Sequence, residues 1–227
     1  MRIGIIVAMG KEMNLLEPLI ENKRMERVRG NRYIFGKIEG HDVCCCQCGI
    51  GKVNSAITTL GLIEEFDPEI VINTGVAGGA DRSMHVLDLF VATEVAYHDV
   101  WCGPGTEFGA ASGYEVMLKT DERIPEICRD AKTGIEARYG LICSGDKFIS
   151  EAKQVEEIKR HFPEALAVDM ESASIGQVCV MKGVPFNIIR VISDTPGAEE
   201  NISQYENFWS DAPRETFDSL REILKRL

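Results

Sequence analysis

The 227-residue sequence is short of several features, and each shortage narrows the possibilities. It has no apolar run long enough to span a membrane: the longest at the start, residues 3–9, is soon followed by charge. No small-residue cleavage site follows that run, so a secretory leader is not expected and the cytoplasm is the expected compartment. Basic residues are outnumbered, with 25 Lys and Arg against 36 Asp and Glu, a formal net charge of −11. A surface of that sign repels phosphate backbones, which argues against nucleic acid as a partner but leaves neutral or zwitterionic small molecules open. Histidine is scarce, at four residues, and none stands at zinc-finger spacing from a cysteine pair. No internal repeat, low-complexity stretch or Pro/Gly-rich linker interrupts the chain, so one α/β domain over 1–227 is expected.

Cysteine is plentiful, but its pattern is not that of a ligand set. In CCCQC, strand alternation sends Cys44, Cys46 and Cys48 to one face and Cys45 to the other. Without an export signal these read as buried thiols, neither disulfides nor metal ligands.

Hydrophobic periodicity gives alternating strands and helices. Residues 2–8 read as a buried strand, and 11–21 as a helix with Met13, Leu15, Leu16 and Leu19 at helical spacing. Residues 32–38 and 42–48 flank Glu39-Gly40, a hairpin signal. Residues 53–66 form a helix stopped by Asp67-Pro68, and 69–74 a strand running into the glycine-rich turn 75–79. Further strands are expected at 87–96, 138–143, 165–169 and 186–192, and helices at 120–131, 151–160, 171–182 and 214–226. The last helix carries Phe217, Leu220, Ile223 and Leu224 on one packing face. Residues 99–115 are Gly-rich and unassigned, a loop length that is often functional. Within it Trp101 and Phe108 are expected to anchor an interface. His98 reads as a structural loop residue, His41, His85 and His161 as exposed, and Glu199-Glu200 as a solvated turn.

In open α/β sheets ligands sit beyond the carboxyl ends of strands. Glu12, residues 75–79, 144–149, Met170-Glu171 and Ser193-Asp194 all follow such ends. Taken singly, each acid has an ordinary explanation. Glu12 and Glu171 open helices, where the dipole favours a carboxylate, and Asp194 precedes Thr-Pro-Gly in a turn. Three converging acids would repel one another unless a ligand or a proton relieved them. The glycine-rich turn lacks both the P-loop Lys and GxGxxG spacing, and by itself it reads either as a tight strand-to-loop turn or as a close backbone approach to a ligand.

The stretches IGIIVAMGKE, CGIGKVNSA, INTGVAGG, YHD, SGDKFIS, AVDMES and RVISD, in this order, together resemble the methylthioadenosine/S-adenosylhomocysteine nucleosidases of the nucleoside phosphorylase/hydrolase superfamily. The resemblance implies a three-layer αβα sandwich with a central mixed, partly barrel-like sheet, and a homodimer. It implies hydrolysis of the N-glycosidic bond of an adenine thionucleoside, with no metal or organic cofactor. By resemblance Glu12 activates water, Asp194 protonates the leaving purine, and Glu171 grips the ribose hydroxyls with Met170 against the sugar. Phe148 stacks on the base, the Ile149 main chain reads its edge, and Met9, Ile50 and Gly78 line the sugar and base pockets. Arg190 lies near the water, and Tyr205 stands where the family has an aromatic over the 5′ group. Two stretches depart from the pattern: Val76 replaces a usual Ser near the water, and residues 100–108 replace an apolar loop that reaches the neighbouring subunit's 5′ pocket. A phosphorylase of the superfamily, an aminodeoxyfutalosine nucleosidase and a catalytically silent nucleoside sensor are the alternatives. The phosphorylase is disfavoured because residues 9–22 contain Lys11 but no Arg to meet phosphate.

Overall fold

The computed structural model describes residues 1–28, 30–198, 200–211 and 213–227, leaving Glu199 of the expected acidic turn outside the described residues. Strands β1 (Arg2–Val7), β4 (His41–Gln47), β5 (Ile70–Gly79) and β10 (Phe186–Asp194) run parallel to the neighbours they share, in the order β4-β1-β5-β10. A second parallel set comprises β6 (Leu89–Tyr97), β8 (Arg138–Ser144) and β9 (Ala165–Asp169). The two sets join twice, each time antiparallel, through β10 to β6 and through the tip of β5 to β9. Strands β5, β10, β6, β8 and β9 thus close a ring. An open wing continues from β1 through β4 to β3 (Asn31–Ile38) and β2 (Glu21–Val28), and the short β7 (Met117–Lys119) pairs with β6.

Both faces of the sheet are covered. Helices α1 (Gly10–Leu16), α3 (Arg123–Arg129) and α7 (Pro213–Leu224) pack on one side, over a core including Ile3, Ile5, Cys45, Ile72 and Ile189. Helices α2 (Lys52–Phe66) and α5 (Ser172–Lys182) cover the other, over Ile6, Cys44, Cys46, Val71 and Ile188. The cysteine run divides between the two cores as strand alternation requires. All its members are free thiols, and burial pushes Cys44 up to about 12, which leaves it inert. Helix α4 (Ala152–His161) sits over a third cluster beside β8 and β9, and α6 (Asn201–Asp211) follows β10. Among the described residues no helix is long and apolar enough to cross a membrane.

The differences from the sequence reading have local causes. The first helix ends at Leu16 in a 3-10 turn, Glu17–Leu19, and the residues after it form β2. That strand is ENKRMERV, exposed along most of its length at the sheet edge, so it shows no apolar alternation. The glycine run 75–79 is no turn: β10 and β9 pair with it and extend β5 to Gly79. The Glu39-Gly40 hairpin is present, with both residues at positive φ, 48° and 85°. Phe108 is half-buried. Its ring stacks on His161 of the same chain at 3.8 Å and tilts against Phe162 at 6.3 Å, whereas Trp101 is exposed. His85 and His161 are exposed, but His41 is half-buried between the terminal amine of Met1 and the carbonyl of Leu224.

Candidate active site

The antiparallel meeting of β5 with β9 brings the carboxyl ends of the two strand sets to one place. The cleft there encloses about 650 Å3, its open mouth included. Met9, Glu12, Ile50, Gly78, Phe148, Ile149, Met170, Glu171, Arg190, Asp194 and Tyr205 all line it. Reading by residue did not assign Asp169, Lys147, Ala77 or Ser193, which line it as well. Asp169 carried a usable signal, a strand-end acid ahead of a helix, but stood beside the more obvious Glu171.

Glu12 is the third residue of α1, and its side chain turns back over the helix start. Its Oε2 accepts the N–H groups of Ala8 and Met9, both at 2.8 Å, and its Oε1 accepts Val76 N–H at 3.1 Å. Gly75 makes this possible. Its φ is +154°, and a Cβ there would stand 2.3 Å from Glu12 Oε1. Burial pushes the Glu12 carboxyl above its ordinary value, while Arg190 and the three amides oppose that rise.

Arg190 is fully buried on β10, inside the ring. Its Nη2 donates to Asp169 Oδ2 at 2.6 Å, to Ser172 Oγ at 3.1 Å, and to Asn73 Oδ1. Burial alone would pull the guanidinium down, but Asp169, Glu171 and Glu12 together hold it above its ordinary value. Asp169 is fixed further by the hydroxyls of Ser144 and Ser172, each at 2.5 Å. The cation is therefore committed to an internal carboxylate before any ligand arrives.

Glu171 sits at the N-cap of α5, where its Oε1 accepts Gly51 N–H at 2.9 Å. Burial, and then the neighbouring Asp169 charge, push its carboxyl up. Asp194 ends β10 just after a bulge that shifts the β10–β5 register between Ile192 and Asp194. Such a bulge re-aims the side chain, here into the cleft. Oδ1 accepts Ser193 Oγ–H at 2.6 Å and Oδ2 accepts Asn201 Nδ2–H at 2.5 Å. Burial raises the Asp194 carboxyl, against those two donors.

The rest of the cleft is apolar or carries main-chain polar groups. Tyr205 on α6 donates its hydroxyl to Met9 Sδ at 3.3 Å and meets Phe148 edge-on, with ring centroids 5.6 Å apart. Phe148 and Ile50 are about half exposed at the mouth. No hydrogen bond among the described residues engages the N–H or C=O of Ile149. Val76 lines the cleft beside Glu12 and offers it a backbone N–H but no hydroxyl. His98 is held by its N–H on Ser144 O at 2.9 Å, and burial lowers its ring below the ordinary value.

A ring of strands with buried carboxyls at their converging ends defines a nucleoside-processing fold, and the family model described as Phosphorylase superfamily matches residues 2–225. A 5′-methylthioadenosine/S-adenosylhomocysteine nucleosidase of Halalkalibacterium halodurans is 42% identical over 100% of this chain and 99% of its own. One of Lysinibacillus sphaericus is 41% identical over 89% of this chain and 90% of its own. The crystal structure of the S-adenosylhomocysteine nucleosidase of Streptococcus pyogenes in complex with 5-methylthiotubericidin superposes with a TM-score of 0.94, at 32% identity, covering 100% of this chain and 97% of that one. The chain belongs to the 5′-methylthioadenosine/S-adenosylhomocysteine nucleosidase family of the phosphorylase superfamily.

Proposed function

We propose that this protein hydrolyses the N-glycosidic bond of 5′-methylthioadenosine, S-adenosylhomocysteine or both, releasing adenine and the thioribose. The observation that carries the reading is the placement of two buried carboxyls at different points of one cleft. Glu12 faces Val76 N–H, and Asp194 lies in register with Gly78. These two backbone positions of β5 are two strand residues apart, roughly 6–7 Å along the strand.

Asp194, whose carboxyl burial raises against its two donors, gives a proton to a ring nitrogen of the purine as the C–N bond breaks. A purine anion is a poor leaving group, and a positioned acid is worth roughly 10²–10⁴-fold. Glu12, fixed by three amides, takes a proton from the attacking water. Glu171 holds the ribose hydroxyls, and the carboxylates stabilise the oxocarbenium-like sugar. Phe148 stacks on adenine, the uncommitted Ile149 main chain reads its edge, Met9 and Ile50 line the sugar and base pockets, and Tyr205 lies over the 5′ end.

Water is favoured over phosphate by the same geometry. Arg190 is already bound to Asp169, and Glu12 and Glu171 would repel a phosphate dianion. The Halalkalibacterium and Lysinibacillus relatives, both 5′-methylthioadenosine/S-adenosylhomocysteine nucleosidases, support the same substrate class. The protein works as a homodimer in which residues 100–108 close the partner's 5′ pocket. Support comes from exposed Trp101, from exposed Ile50 just before α2, and from Val53 and Ile57, exposed at the start of that helix. A panel of methylthioadenosine, S-adenosylhomocysteine, adenosine and aminodeoxyfutalosine, assayed for free adenine, tests the reading. Release from the thionucleosides first is expected, and preference for either other substrate would overturn it.

A further inference from the structure

The acid Asp194 takes one of its two donors from outside its own strand. That donor, Asn201, is the first residue of α6 and is buried, with 3% of its surface exposed. Its Nδ2 lies 2.5 Å from Asp194 Oδ2, while its Oδ1 is buried without a partner among the described residues. An orphaned buried carbonyl is costly, so its retention points to a task for the other end of the amide. The same helix makes two further contacts, one with the chain beside Asp194 and one with the cleft. Gln204 Oε1 accepts Thr195 N–H at 2.9 Å, fixing the backbone just after Asp194. Tyr205, one turn on from Asn201, lies against Met9 and Phe148.

We propose that Asn201 is a positioning residue for proton transfer, holding the Asp194 carboxyl in its productive rotamer and donating to the carboxylate that remains once the proton has gone to the base. The proposal rests on the reading of Asp194 as the acid. In the transfer, the Asp194 O–H proton passes to a purine nitrogen and the C–N electron pair goes to the base. The carboxylate left behind is met by Ser193 O–H on Oδ1 and Asn201 N–H on Oδ2. Because α6 also carries Tyr205, the helix that borders the 5′ end of the cleft is the one that sets the acid.

Asn201→Ala removes the donor, and Asn201→Ser removes its reach while retaining a small polar side chain. Both are compared with wild type and with Ile202→Ala, an exposed neighbour on the same helix, in steady-state adenine release from methylthioadenosine across pH. Losing a donor to a developing carboxylate should lower kcat about 10- to 100-fold, with KM within about threefold. It should also move the alkaline limb of kcat/KM, where Asp194 loses its proton, upward by roughly one pH unit. Glu12, Lys147, Asp169, Glu171, Arg190 and Tyr205, which share the cleft with Asp194, are unchanged in both variants, so a moved limb reports Asp194. If Asn201 served only to hold α6 in place, KM would rise through loss of Tyr205 while kcat and the limb stayed put, and the proposal would be overturned. It is overturned equally if both variants match wild type. A wild-type enzyme that releases no adenine would instead defeat the reading of the activity itself.

Discussion

Gly75→Ala adds a single methyl group directly against the Glu12 carboxylate. The new Cβ would lie 2.3 Å from Glu12 Oε1, 2.9 Å from its Cδ and 3.2 Å from Arg190 Nη1. An ordinary carbon–oxygen contact needs a little over 3 Å, so the carboxylate must retreat by about 1 Å. Oε1 has its amide partner, Val76 N, at 3.1 Å. A retreat of that size takes the pair beyond hydrogen-bond range. The lost charge-assisted bond is worth about 1.5–3 kcal/mol, and a 1 Å misplacement of a catalytic group costs about 10²-fold. The φ of +154° adds backbone strain for alanine. Expected results are a fall in kcat of about 10²–10³-fold in a coupled adenine assay, a lower Tm, and binding of a substrate analogue within about tenfold of wild type. Gly78→Ala provides the contrast, since its Cβ would meet Pro196 Cγ at 3.0 Å and leave Glu12 untouched. A Gly75→Ala enzyme within about threefold of wild-type kcat would refute the argument that this glycine is required for Glu12 to act.

Asp194→Asn should lower kcat about 10³-fold or more with analogue binding retained; more than a tenth of wild-type activity would contradict its role as acid. The same variant has a pH signature. Asp194 is raised above its ordinary 3.8, so folded protein binds more protons than unfolded protein between the two values. Its contribution to stability is fully present below about 3.8 and is lost as pH rises through the folded value. The Tm difference, variant minus wild type, should therefore grow more positive from pH 4 to pH 8, and a flat difference would mean that burial does not raise Asp194. Val76→Ser places a hydroxyl beside Glu12 and should leave turnover equal or raise it; a severe loss would show that the Val methyls are needed for packing. Trp101→Ala should raise KM for methylthioadenosine more than for adenosine, by about 10-fold or more. Equal effects, or a fully active monomer in sedimentation, would remove that loop from the 5′ pocket.

How much of this was legible beforehand varied with the kind of signal. Strand β9 has the bounds expected from its apolar run between a proline-containing turn and a helix, residues 165–169. The cleft residues were legible because most follow strand ends, where short motifs fall together whatever the sheet topology. Strand β2 was hidden because an exposed edge strand of alternating charges has no buried face to betray it. The length of β5 was hidden because glycines signal turns locally, and only the pairing of β9 and β10 over them makes a strand. Asn201 was invisible for a related reason. Nothing in NISQYENFWSD marks a helix against the acid, and the contact exists only after β10 and α6 are placed. The stacking of Phe108 on His161 was hidden in the same way, since the two are far apart in sequence and meet only in the fold.

The identity of the sugar product tests the central claim most directly. With methylthioadenosine turned over in the absence of phosphate, a water activated by Glu12 must release free methylthioribose, one for each adenine formed. The same products should form at the same rate after inorganic phosphate is added. Turnover that requires phosphate and yields methylthioribose-1-phosphate would contradict the account and place the chain among the phosphorolytic members of its superfamily.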